Sequence, residues 1–161
     1  MEITEILKKE HIIEDLNLDD KNGVLDDKNG VLNEFSEFLK KKGAIKDKEA
    51  LFEALAQREK LGSTGIGENV AIPHAKLDNI DTIITLFARS KKGIEFESLD
   101  KKPVHFFCLV IAPANSTGLH LKVLARISKL LKNSSLRDAI LNATAVDQIF
   151  NILTDEDSKF L

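Results

Sequence analysis

The sequence predicts an α/β fold, a single-domain sandwich in which a central mixed β-sheet is flanked by helices on both faces. Three observations predict it. Segments with helical apolar spacing alternate with short β-rich runs along the chain, the pattern of layered α/β domains. Residues 104–112 are almost wholly apolar, as expected of a central strand covered on both sides. At 161 residues with 43% hydrophobic content, the chain can enclose a core on that plan. No Pro/Gly/Ser-rich linker or abrupt compositional shift divides it, so residues 1–161 are expected to form one domain.

Taken in order, residues 12–18 alternate in part and suggest a short strand. Residues 32–42 read as a helix with Leu32, Phe35 and Leu39 on one side and Gly43 as its terminator. Asp47 is a good N-cap for a helix through Ala50, Leu51, Ala54, Leu55 and Arg58. A glycine-rich turn, Gly62-Ser63-Thr64-Gly65-Ile66-Gly67, leads to a strand Val70-Ala71-Ile72 that Pro73 stops. Residues 82–88 form a second strand and residues 93–96 a short one. Residues 118–131 are expected to be helical, with Leu121, Leu124, Ile127, Ser128 and Leu131 at core spacing. Ser135-x-x-Asp138 and Thr144-x-x-Asp147 resemble capping boxes that open two last helices.

Composition excludes several functions. The net charge of −3 offers no broad attraction to nucleic acid or to an anionic membrane. The acidic N-terminus lacks the build of a signal peptide. No apolar run approaches the ~18 residues of a membrane helix. The lone Cys108 allows no internal disulfide and suits a reducing compartment. A cytoplasmic protein without direct membrane insertion is the expectation. The tandem Asp19-Asp20-Lys21-Asn22-Gly23-Val24-Leu25 and 26–32 copies are unusual, but counting back from either glycine puts leucine at the first calcium-ligand position. The repeat is read as a duplication, not a metal loop.

Chemistry concentrates at His74, directly after Pro73. Proline narrows the backbone choices and helps hold an imidazole in one orientation. Imidazole is a good nucleophile near neutral pH, where its ordinary pKa of about 6.5 leaves most of it uncharged. Position alone leaves His74 open between nucleophile and ordinary loop histidine. Arg58 could likewise be a solvated cation at a helix end, and His120 a packed helix residue beside Leu124. His105 and His11 read as structural or surface residues. Cys108 reads as a small core residue. The glycine-rich turn lacks the Gly-Lys-Ser/Thr ending of a P-loop, so nucleotide binding is not expected, nor is any cofactor.

The stretch from Glu59 through Leu61-Gly62-Ser63-Thr64-Gly65-Ile66-Gly67 to Val70-Ala71-Ile72-Pro73-His74-Ala75 resembles an active-site signature. It is similar to that of the fructose/mannitol-type (type-2) EIIA domains of the bacterial phosphoenolpyruvate-dependent sugar phosphotransferase system. The likeness extends through Gly93-Ile94-Glu95-Phe96, Pro103-Val104, Ala112-Pro113 and His120-Leu121-x-x-Leu124-Ala125-x-Ile127, covering about residues 1–155. The resemblance implies a phosphorylated histidine at His74, a second active-site histidine at His120 and an arginine at Arg58. It implies an HPr-type phosphocarrier as donor and a IIB domain of a sugar permease as acceptor, the details slightly favouring the fructose type. Ser63, Thr64 and Gly65 are candidate phosphate contacts through an anion nest. Stand-alone nitrogen-type regulators share the family, so a regulatory module is the alternative. A metal hydrolase built on His74 and His120 lacks closely spaced Asp, Glu or Cys ligands, and no metal is expected.

Overall fold

A computed structural model of the chain describes residues 2–18, 27–116 and 118–160. The repeated heptad falls across residues 19–32, of which 19–26 lie outside the described residues. Strands β1 (Ile12–Ile13), β2 (Gly65–Gly67), β3 (Val70–Ala71), β4 (His74–Leu77), β5 (Ile84–Ile94) and β6 (Val104–Pro113) form one mixed sheet. The helices are α1 (Asp27–Lys41), α2 (Lys48–Lys60), α3 (Leu119–Leu131), α4 (Ser134–Asn142) and α5 (Val146–Ser158). The sheet order is β1-β5-β6-β3-β2, with β4 also paired to β6.

The antiparallel pair β5–β6 is the spine of the molecule. Side chains alternate across β6 with the two-residue period of a strand. Phe106, Cys108 and Val110 pack with Val123, Ile127, Leu130, Ile140 and Ile149 of α3, α4 and α5. Phe107, Leu109 and Ile111 pack on the other side with Leu32, Phe35 and Leu39 of α1 and Leu51 and Leu55 of α2. Phe107 meets Phe35 and Phe96 edge-on at centroid distances of 5.8 and 5.4 Å. This is the predicted sandwich with helices on both faces.

Several local expectations are corrected. The first strand is only Ile12–Ile13. Helix α1 begins at Asp27, within the second copy of the heptad. The strand expected at 93–96 is merged with its predecessor, because β5 runs on to Ile94 past an irregularity between Arg89 and Ile94. In α3, Leu121 is 61% exposed while Val123 and Leu130 are buried, so the apolar stripe is rotated from the one expected. Neither capping box caps. Asn133 receives the Leu136 N–H at 3.2 Å to start α4, and the Thr144 N–H and hydroxyl instead meet Gln148 Oε1 at the start of α5. Asp47 does cap α2, accepting from Ala50 N at 3.0 Å.

The glycine-rich turn is partly strand. Gly65–Gly67 pairs antiparallel with Val70–Ala71 across Glu68 and Asn69, both at positive φ (56° and 68°). Two consecutive positive φ values are what a tight hairpin turn requires. Asp100 braces it by accepting the Glu68 N–H at 2.9 Å.

Candidate active site

His74 is not in a loop beyond a strand end. β3 and β4 keep one register against β6, Val70 opposite Phe106 and His74 opposite Val110, so they are one parallel strand interrupted at Ile72-Pro73. Proline lacks the N–H that a ladder needs, which explains the break. His74 is therefore the first residue of a resumed strand at the sheet's edge. Its backbone is fixed by β6, and its side chain shares the face of Val110, toward α3.

The ring is gripped at both nitrogens. Nδ1 lies 2.9 Å from the carbonyl oxygen of Ile72, two residues back. A carbonyl can only accept, so Nδ1 carries the proton and Nε2 keeps its lone pair. Nε2 in turn accepts from Nε–H of Arg58 at 3.2 Å. Arg58 is held by its other arm, with Nη1 donating to the Gly62 carbonyl at 2.8 Å. A planar guanidinium can make both bonds at once.

Around Nε2 opens a cavity of about 330 Å³ lined by Ala54, Gln57, Arg58, Leu61, His74, Ala75, Lys76, Val110, Ala112, His120 and Leu124. Its charged lining among the described residues is cationic: Arg58 and Lys76 beside two imidazoles, with no carboxylate. That composition, in a chain of net charge −3, favours an anion in this one place. Apart from Gln57 the remaining wall is apolar, which strengthens each electrostatic contact inside it. His120 lies in the first turn of α3, bringing the positive end of that helix to the cavity. Among the described residues its Nδ1 is buried without a hydrogen-bond partner.

The structure thus brings Arg58, His74 and His120 together. Ser63, Thr64 and Gly65 do not line the cavity among the described residues, and several of their donors are engaged within the fold. The Ser63 hydroxyl donates to the Phe96 carbonyl at 3.3 Å, Thr64 N–H to Glu59 Oε1 at 3.0 Å, and Gly65 N–H to Ser63 Oγ at 3.1 Å. Lys76 and Gln57 were not singled out in the sequence. The signals existed: Lys76 is two residues from His74 on a strand and shares its face, and Gln57 belongs to the stripe Ala54, Gln57, Arg58, Leu61 on one side of α2.

The other histidines lie apart from the cavity lining. His11 takes the structural option, 6% exposed with its Nδ1 3.1 Å from the Thr85 carbonyl, and burial pushes its pKa down. His105 Nδ1 stands 2.7 Å from the Ser90 carbonyl. Cys108 is buried, as expected, and burial pushes its thiol pKa up to about 12. Among the described residues no group of three or more His, Cys, Asp or Glu side chains is placed to hold a metal ion, and no helix is long and apolar enough to cross a membrane.

The chain is 39% identical over 157 residues to the fructose-specific EIIABC component of Bacillus subtilis, covering 98% of this chain but 24% of that longer protein. It is 35% identical over 153 residues to a nitrogen regulatory protein of Bradyrhizobium diazoefficiens, covering 95% of each. Its fold matches the crystal structure of nitrogen regulatory protein IIA-Ntr from Neisseria meningitidis with a TM-score of 0.82 and 31% identity, over 94% of this chain and 99% of the other. The IIA–phosphorylated IIB mannitol complex from Escherichia coli matches with a TM-score of 0.72 at 21% identity, covering 92% and 97%, a likeness of fold. A family model described as phosphoenolpyruvate-dependent sugar phosphotransferase system, EIIA 2, matches residues 5–156, and the chain belongs to that family.

Proposed function

We propose that residues 1–161 form one phosphocarrier domain that accepts a phosphoryl group on Nε2 of His74 from an HPr-type phosphocarrier and passes it to a IIB domain of a fructose-type permease. The observation that carries this is the two-sided grip on the imidazole. Ile72 holds the proton on Nδ1, so the lone pair of Nε2 is presented to a cavity whose charged groups are cationic.

Phosphoryl transfer depends on in-line positioning and on stabilising charge on the equatorial oxygens. As the donor's P–N bond breaks, the Nε2–P bond forms, and the Nδ1 proton stays on the ring, shared with the Ile72 carbonyl. Arg58 swings its Nε–H from Nε2 to a phosphoryl oxygen while Nη1 keeps its anchor on Gly62. His120 donates to a second oxygen from a ring already in the cavity, and Lys76 adds charge at its rim. Transfer to the acceptor reverses these steps. The cytoplasm is the compartment in which such a relay runs.

Incubation with phosphoenolpyruvate, enzyme I and HPr tests the proposal. An acid-labile mass increase of one phosphate is expected, and it should vanish in His74→Ala. No increase, or an increase that survives the substitution, refutes it.

A regulatory role is the second reading. It is supported by the likeness to nitrogen regulatory relatives, at 35% identity in sequence and at 31% identity in a solved structure. Phosphate adds close to two negative charges at His74, enough to switch a protein interface. Transfer from phosphorylated protein to a purified IIB domain supports the carrier. Capture of a partner that is not a permease by the unphosphorylated form only supports the regulator.

A further inference from the structure

Glu59 is out of place by two physical criteria. It lies in the last turn of α2, where the helix dipole disfavours a carboxylate, and it is only 8% exposed. Yet both its oxygens are engaged. Oε1 accepts the Thr64 N–H at 3.0 Å and lies 3.1 Å from Lys28 Nζ, and Oε2 accepts the Thr64 hydroxyl at 2.5 Å. The Lys28 side chain is itself only 11% exposed, with its ammonium 5.0 Å from the centroid of the Phe96 ring. Replacing a buried ion pair by well-packed apolar residues is often neutral or stabilising, so fold stability does not account for this one.

What the pair holds is the segment joining α2 to β2, and both grips on His74 pass through it. On one side, the Gly62 carbonyl fixes Arg58, whose Nε–H meets Nε2. On the other, the Thr64 carbonyl accepts the Ile72 N–H at 3.0 Å, and the Ile72 carbonyl holds Nδ1. The Gly62 N–H also returns to the Glu59 carbonyl at 3.1 Å, so residue 59 fastens the segment through backbone and side chain alike.

We propose that the Lys28–Glu59 ion pair is a positioning device for His74: by clamping Thr64 it sets, at once, the Arg58 contact at Nε2 and the carbonyl contact at Nδ1. Glu59 touches no reacting atom and acts through Thr64, Gly62 and Arg58. The consequence for transfer rests on the phosphocarrier reading, whereas the consequence for the ring does not.

The experiment compares wild type, Glu59→Gln and Glu59→Leu by nitrogen-15 NMR of the Arg58 and His74 side chains, by transfer from phosphorylated HPr, and by thermal unfolding. Glu59→Leu is expected to stay folded, to lose the protected Arg58 Nε–H signal and the single Nδ1–H tautomer, and to transfer on the order of 10²-fold more slowly, the size of effect a misplacement of about 1 Å produces. Glu59→Gln keeps an acceptor for the Thr64 N–H and should recover transfer to within about tenfold of wild type. A folded Glu59→Leu with unchanged ring signals and wild-type transfer overturns the proposal. If Glu59→Leu does not fold, Thr64→Val decides in its place, and unchanged signals and rate there overturn the proposal equally. Failure of wild type itself to take up phosphate removes the phosphocarrier reading, and the NMR comparison then still decides the positioning role.

Discussion

Nε–H of Arg58 points at Nε2 of His74 across 3.2 Å, while the opposite ring nitrogen is tied to the Ile72 carbonyl at 2.9 Å. The two contacts leave one nitrogen with a lone pair and stand a permanent cation beside it. From that relationship follows which atom reacts, which residue answers the incoming charge, and how the neighbouring substitutions should behave.

The phosphorylated atom should be Nε2. Nitrogen-15 spectra of the phosphorylated protein are expected to show phosphorus coupling to Nε2 and a retained proton on Nδ1. Coupling to Nδ1 instead would mean that the Ile72 contact is abandoned during transfer.

Arg58→Lys should be far from conservative. An ammonium has no second arm, so it cannot hold Gly62 and meet His74 together. The transfer rate should drop by roughly 10²–10³, the range seen when one preorganised donor is removed. Because the side chain is only half-buried, stability should change by less than about 1 kcal/mol. A variant transferring within threefold of wild type, measured by stopped reaction with phosphorylated HPr, would leave the guanidinium without the role given to it.

His120→Leu should trade function for stability. Nδ1 of His120 is buried without a partner among the described residues, and such an atom costs roughly 1–3 kcal/mol. Removing it should raise the unfolding free energy measured in urea by about 1 kcal/mol while slowing transfer. If denaturation shows a less stable protein with transfer intact, the orphaned nitrogen is not the cost and His120 not the donor.

His11 should make stability depend on pH in a defined direction. Burial, aided by Lys8 and opposed by the Thr85 carbonyl, holds its folded pKa below the ordinary 6.5. Below about pH 6.5 the unfolded chain takes up the proton before the folded one does, so stability declines as pH falls and levels off once the folded ring titrates. Urea unfolding between pH 7.5 and 5 should show this loss, reduced in His11→Gln. Parallel curves for the two proteins would count against it.

Cys108 should be inert in the native state. Its thiol is buried and its pKa pushed up to about 12, so almost no thiolate is present at neutral pH. Labelling by a disulfide reagent should proceed only at the rate at which the fold opens and become immediate in denaturant. Rapid native labelling would show the thiol to be accessible.

Much of this was legible in the sequence because it rests on local rules. The apolar run of β6, the Asp47 cap and the Leu32, Phe35, Leu39 stripe follow from periodicities that neighbours in sequence impose. The misses share a cause. Leu121 and Leu130 of α3 differ little as residues, and only the direction of the sheet beneath decides which one faces it. His11 was open between a structural and a surface residue, because the Thr85 carbonyl that holds it lies 74 residues away. Ser63 and Thr64 were open between turn formers and phosphate contacts, and only the fold shows their hydroxyls donating to the Phe96 carbonyl and to Glu59.

By itself the sequence determined the layered α/β plan, because that depends on residue types and their spacing, and its likeness to a family signature pointed to the three side chains Arg58, His74 and His120 that meet in one cavity. The tertiary structure alone decided that Pro73 interrupts a strand rather than ending it, that Nδ1 carries the proton, and that the lining around Nε2 is cationic without a carboxylate. The physical reason is distance. The groups lining this cavity come from α2, β4, β6 and α3, and hydrogen bonds and charge act between atoms a few ångströms apart, whatever their separation along the chain.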